Sequence, residues 1–169
     1  MDGLSRLNDR PAAEGRAELL RCCGSLRWAE ALLAHRPFTD AASVYSAADS
    51  LWWTLEPADW REAFAHHPQI GDLDSLRTRF ASTLEWASGE QKGALDAPEE
   101  LLIALAEANQ AYEERFGYIF IVCATGKSAE EMLALLLQRL AHAPQDEIRI
   151  AASEQAKITR LRLEKLLNS

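Results

Sequence analysis

The sequence predicts an all-α, single-domain helical bundle over residues 1–169, and three observations carry that expectation. Apolar residues recur at steps of three and four along most of the chain, the spacing of one helix face. A single segment, Ile119-Phe-Ile-Val-Cys123, has strand-like composition, and one lone strand would have nothing to pair with. With 169 residues and 48% hydrophobic content, the chain can bury most of the surface that its unfolded form exposes within one domain.

In chain order, residues 1–13 are polar enough to fray. Short helices are expected at Glu14 to Cys23 and Ser25 to His35. Val44, Ala48, Leu51, Trp52 and Leu55 then share one face of an amphipathic helix. Further short helices are expected at Pro57 to Ala65 and Leu76 to Trp86, and Leu101, Leu105, Ala108, Tyr112 and Phe116 mark a longer one. The segment Ile119 to Cys123 reads as a buried connector or part of a helix. Ser128-Ala-Glu-Glu131 has capping-box spacing before the run Met132 to Leu140. Pro144 is expected to stop that helix, and Gln145 to Leu167 to form the last one, with Ile148, Ala152, Ile158, Leu161 and then Lys165 or Leu166 as its buried stripe. No repeat, low-complexity stretch or long linker interrupts this order.

Charge and cysteine usage narrow the function. A net charge of −8 repels a phosphate backbone, so nucleic acid is not an expected partner, and an anionic substrate must be met by a few placed cations. Cys22, Cys23 and Cys123 are an odd set whose adjacent pair cannot readily close on itself, which argues against a secreted disulfide framework. No signal-peptide pattern opens the chain, no apolar run reaches the ~20 residues that cross a bilayer, and the final Leu167-Asn168-Ser169 is not a peroxisomal signal. A cytoplasmic protein without membrane partners is the expectation.

Three segments depart from ordinary helix and loop. In His66-His67-Pro68-Gln69-Ile70-Gly71, Pro68 disfavours α geometry at His67, so His67 falls where a helix ends. A histidine there can cap the last carbonyls as a cation, or it can do chemistry. In Trp86-Ala-Ser-Gly-Glu90-Gln91-Lys-Gly93 an acid and an amide stand side by side among glycines, in an exposed turn or a site. The third, Phe116-Gly117-Tyr-Ile-Phe-Ile-Val-Cys-Ala-Thr-Gly126-Lys127, passes apolar backbone through the interior, where peptide groups pair internally or face a ligand. It echoes a phosphate loop but lacks the GxxxxGK[ST] spacing, so ATP is not expected.

Together these segments resemble the 2-oxo-4-hydroxy-4-carboxy-5-ureidoimidazoline (OHCU) decarboxylase family. The residues that carry the resemblance begin with Cys23-Gly-Ser25 and Trp28, Arg36-Pro-Phe38, Trp60 with Glu62-Ala-Phe64, and His67-Pro-x-Ile-Gly71. They continue through Glu90-Gln-x-Gly93, Asn109-x-x-Tyr112, the Phe116 to Lys127 segment, Glu131-Met-Leu133, Arg139-Leu140 and Glu147, and close on Glu154-Gln-x-Lys-Ile158 and Leu161-Arg-Leu163. The resemblance implies an all-helical fold, commonly homodimeric, that decarboxylates OHCU to S-allantoin in urate breakdown without metal or organic cofactor. It places the catalytic histidine on His67, its partner acid on Glu90 and the family arginine on Arg162, with Pro68 and Gln91 lining the substrate. Main chain at Ile119, Phe120, Ile121, Val122 and Cys123 would bind the ureido and ring groups. Where the family often carries a serine, three residues before the acid, this chain has Ala87, followed directly by Ser88.

The residue types suit that chemistry. The carboxylate leaves C4 while its electrons enter the neighbouring C5=N bond, so the substrate is its own electron sink. A histidine titrating near neutrality can hold and release the proton needed at C5, which makes His67 the candidate. Glu90 can accept from the C4 hydroxyl and raise the pKa of a nearby imidazole, and Arg162 supplies a permanent planar charge or, alternatively, a surface cation near a helix end. Metal catalysis is not expected, because His35, His66, His67 and His142 form no His-Glu-x-x-His and the cysteines no Cys-x-x-Cys. His66 and His67, being adjacent, are expected to point to different faces. The rival class is a helical interaction module that uses Trp28, Trp52, Trp53, Trp60 and Trp86 as core or docking surface.

Overall fold

A computed structural model of the chain describes residues 1–68, 71–80 and 96–169. These residues are all-α: nine helices and no strand occur among them. The helices are α1 (Gly3–Asp9), α2 (Ala12–Cys22), α3 (Leu26–Leu33), α4 (Ala41–Trp53), α5 (Pro57–Ala65), α6 (Leu73–Arg79), α7 (Asp96–Phe116), α8 (Ala129–Leu140) and α9 (Pro144–Leu167). Five begin on an oxygen side chain that accepts an otherwise unpaired first-turn N–H. Asp2 accepts from Ser5, Ser25 from Trp28, Asp40 from Ser43, Asp72 from Ser75 and Ser128 from Glu131. The capping residue expected at Ser128 is thus the one used. The helix expected from Leu76 starts three residues earlier, on the Asp72 cap, and its expected continuation to Trp86 lies outside the described residues.

By packing, the chain forms two compact units. The first comprises Met1–His67, Ile121–Cys123 and Ile148–Ser169. Its core is built on Trp28, Leu32, Val44, Trp52, Trp60, Phe64 and Leu163, all buried. Each indole N–H finds a backbone acceptor: Trp28 on Ala48, Trp52 on Ala152 and Trp60 on Trp52. A fully buried indole removes about 150–250 Å² from water, roughly 4–6 kcal/mol gross at ~25 cal/mol per Å², so these three rings act as core. Trp53 remains 41% exposed, and Trp86 lies outside the described residues.

The polar start of the chain, residues 1–13, makes defined contacts. Asp2 caps α1, Leu7 is buried, and the Arg36 guanidinium donates to the carbonyls of Leu7 (3.0 Å) and Arg10 (2.7 Å). Asn8 exchanges two hydrogen bonds with the backbone of Phe38. The Asn8 side chain and two carbonyls of this stretch are thus satisfied by the Arg36-Pro-Phe38 segment, which sequence distance concealed.

The last helix brings two corrections. Pro144 does not stop a helix but begins α9, where its missing N–H would have had no intrahelical partner. Its buried face within the first unit runs Ile148, Ala152, Gln155, Thr159, Leu163 and Leu167, while Ile158 is half-buried and Leu161 is exposed. Steps of four overshoot the 3.6-residue turn, so the face drifts round the helix, and two polar residues on it disguise the drift. Cys22 and Cys23, unbridged and buried where α2 gives way to α3, have thiols pushed up by burial to about 11 and about 12.

The second unit comprises Pro68–Phe120 and Ala124–Glu147. Its centre is polar. Glu147, fully buried, accepts from Arg139 (2.6 Å) and from the Tyr112 hydroxyl (2.5 Å), and its other oxygen lies 3.1 Å from His142 Nδ1. Arg139 also lies 4.5 Å over the ring of Phe120. Burial keeps the Tyr112 hydroxyl protonated far above neutrality. Gly117 ends α7 at φ +83°, donating to Glu113 at 2.8 Å, a left-handed turn that favours glycine. The following connector has no regular structure despite its strand-like composition, so of the two readings, connector or part of a helix, the first holds. No described helix is long and apolar enough to cross a membrane.

Candidate active site

The site grows from the end of α5. The helix stops at Ala65, and the N–H groups of His66 and His67 reach back to Ala63 and Phe64, each at 3.2 Å, before Pro68 turns the chain away. His66 and His67 line one cavity of about 410 Å³ within the first unit, together with Arg21, Gly24, Ala63 and Arg162. Within it the two histidines meet different neighbours, His66 packing on Gly24 and His67 reaching Gln155.

Gly24 makes this arrangement possible. A Cβ there would lie 2.3 Å from His66 Cγ and 2.4 Å from its Cβ, so any side chain would expel the imidazole. That close approach gives the Cys23-Gly-Ser25 segment a physical role.

His67 is half-buried, and its Nε2 lies 2.5 Å from Gln155 Oε1. Burial is the strongest influence on its pKa and moves it below the ordinary value; the Gln155 bond opposes this, while the charges of Arg162 and His66 add to the lowering. Arg162, also half-buried, is tied at 3.4 Å to the Arg21 carbonyl in the last turn of α2. A proton-exchanging imidazole and a fixed guanidinium therefore share one concave wall. This pair can bind an anion and move one proton.

The other expected site residues fall elsewhere. Glu90, Gln91 and Ala87, with Ser88, lie outside the described residues. Pro68 is exposed. The connector divides: Ile121, Val122 and Cys123 belong to the first unit, where the Cys123 N–H donates to Glu154 at 3.1 Å, whereas Ile119 and Phe120 belong to the second, where Phe120 meets the Tyr112 ring edge to face. Among the described residues no three His, Cys, Asp or Glu side chains gather to hold a metal ion.

Residues 8–164 match the family described as OHCU decarboxylase. The chain belongs to the OHCU decarboxylase family. A uric acid degradation bifunctional protein of Arabidopsis thaliana is 37% identical over 154 residues, covering 91% of this chain, which spans about half, 48%, of that relative's length. A 2-oxo-4-hydroxy-4-carboxy-5-ureidoimidazoline decarboxylase of Amia calva is 34% identical over 82% of this chain and 79% of its own. A crystal structure of OHCU decarboxylase in the presence of (S)-allantoin is similar in fold, with a TM-score of 0.71 and 36% identity over 90% of this chain and 98% of that one.

Within this OHCU decarboxylase family member, sequence reasoning assigned no role to Gln155, a fully buried amide touching His67. One signal was present: Gln155 and Thr159 stand four apart, as two polar residues on one helix face do, three and seven residues after buried Ala152.

Proposed function

We propose that this chain is a carboxy-lyase that converts OHCU to S-allantoin in urate degradation without a cofactor. The observation that carries the reading is the shared cavity of His67 and Arg162 in a chain of this family. In the reaction the C4–carboxylate bond breaks, carbon dioxide leaves, and the electron pair enters the C5=N bond. The resulting enediol-like anion takes a proton at one face of C5. His67 delivers that proton, and Arg162 orients a planar anionic or urea-like group by paired N–H donors. Glu90 accepts from the C4 hydroxyl, Pro68 and Gln91 line the substrate, and main chain of Ile119 to Cys123 binds the ureido and ring groups.

The same reading includes one domain over residues 1–169, a cytoplasmic location and a homodimer. Apolar side chains left exposed, such as Leu137 (55%) and Trp53, support association. Light scattering at micromolar concentration tests the dimer, and a monomer there would refute it. The activity is tested with purified protein and freshly generated OHCU, followed by circular dichroism of S-allantoin. Decay accelerated above the spontaneous rate, unchanged by exhaustive chelation, is the expected result. A spontaneous rate and racemic product would overturn the function.

A further inference from the structure

The half-buried ring of His67 has one nitrogen, Nε2, already engaged, and what engages it is neither solvent nor a charge. Gln155 is fully buried, its Oε1 lies 2.5 Å from Nε2, and its amide nitrogen lies 3.0 Å from Thr159 Oγ1, one helical turn further along α9. Thr159 is itself buried, 7% exposed. The result is a row of polar groups through an otherwise apolar wall, from Thr159 through Gln155 to the imidazole.

We propose that Gln155 is a positioning residue: held by Thr159, it accepts the Nε2–H of His67 and so makes Nδ1 the nitrogen that exchanges the substrate's proton. The inference rests on the decarboxylase reading. An amide can present either end, and the required chemistry selects between them. To give a proton, His67 must pass through its imidazolium form, in which both ring nitrogens carry hydrogen. An amide NH2 aimed at Nε2 would then set donor against donor inside the protein, where an unmet donor is heavily penalised. An amide oxygen there accepts in both protonation states. As the Nδ1–H bond breaks and the C5–H bond forms, the N–H pair stays on Nδ1 and the ring returns to the neutral Nε2–H tautomer, with the Gln155 bond intact throughout.

The choice of amide over carboxylate follows from the same geometry. A glutamate at 155 would be a charge buried beside His67 and within the field of Arg162, where it would hold the imidazolium and compete with an anionic substrate for the guanidinium. Glutamine orients the ring and adds no charge.

The test starts with wild-type protein labelled with ¹⁵N. Long-range proton–nitrogen spectra report which nitrogen of neutral His67 bears hydrogen, with assignment by the His67→Asn variant. Nε2–H is expected, and an Nδ1–H tautomer would overturn the proposal. Thr159→Val keeps the side-chain shape but removes the acceptor that orients Gln155. It should mix the tautomers and lower kcat roughly tenfold while KM stays within about twofold, and Thr159→Ser should restore both. Gln155→Met should lose kcat in the same way with its helical circular dichroism retained. Wild-type kcat in both folded variants would refute the role. The tautomer is read without substrate, so a protein inactive on OHCU that still holds Nε2–H would overturn the activity and not the positioning.

Discussion

His67 is surrounded by groups that work against its cation. Burial leads, Arg162 and His66 add to it, and the Gln155 bond opposes them. Its folded pKa therefore lies below the unfolded value of about 6.5. Between the two values the unfolded chain binds more protons, so stability is greatest above pH 6.5, falls as pH drops through that value, and levels off below the folded pKa. Proton NMR of the His67 ring should show the low value, and Arg162→Gln should raise it by removing a neighbouring positive charge. A lowered or unmoved pKa in that variant would separate the two groups. His67→Asn should fold normally and lose most of its rate, whereas His66→Asn should be mild; steady-state kinetics of both decide the ranking. Glu90→Gln should cost on the order of 10² in kcat with little change in melting temperature, and a variant keeping half of wild-type kcat/KM would remove Glu90 from the mechanism. At this scale Pro68 drew attention to His67, and the family resemblance drew it to Arg162. Gln155 was not, since a buried amide interrupts an apolar pattern and reads as a gap in it.

Among the elements, the start of α8 was the most legible, because Ser128 with Glu131 fixes it by local chemistry alone, whereas the Asp72 cap of α6 was not read. The faces of α1 and α9 were harder. The order in α1 depends on Arg36, about 30 residues away in sequence, and the buried face of α9 drifts, so neither yields to a fixed 3.6-residue template. The junction of α2 and α3 is where an element acts on the site. Gly24→Ala would drive a methyl into the His66 ring, and because the contacted atoms include Cβ, rotation of the ring alone cannot relieve it. Activity on OHCU should fall at least tenfold, with a loss of about 1–3 kcal/mol in urea denaturation from overpacking. Gly24→Ala with wild-type kinetics would show that His66 can move without carrying His67.

For the molecule as a whole, the helical class was legible and the division into two compact units was not, since nothing in composition or linker length marks Pro68 or Ala124 as a boundary. The second unit's stability depends on a carboxylate. Glu147→Gln removes the buried charge facing Arg139 and should cost roughly 3–5 kcal/mol in urea unfolding, with kcat per folded molecule unchanged. A loss under about 1 kcal/mol would mean that the pair is dispensable. The first unit carries a different resource in its neighbouring thiols. With Cys22 held at about 11, roughly one molecule in 10⁴ presents a thiolate at pH 7, and Cys23 presents fewer. A thiol-modifying reagent therefore meets almost nothing reactive until the α2–α3 junction parts. The two sulfurs are built-in clocks of that opening: their labelling rate counts how often the ground beside His66 gives way.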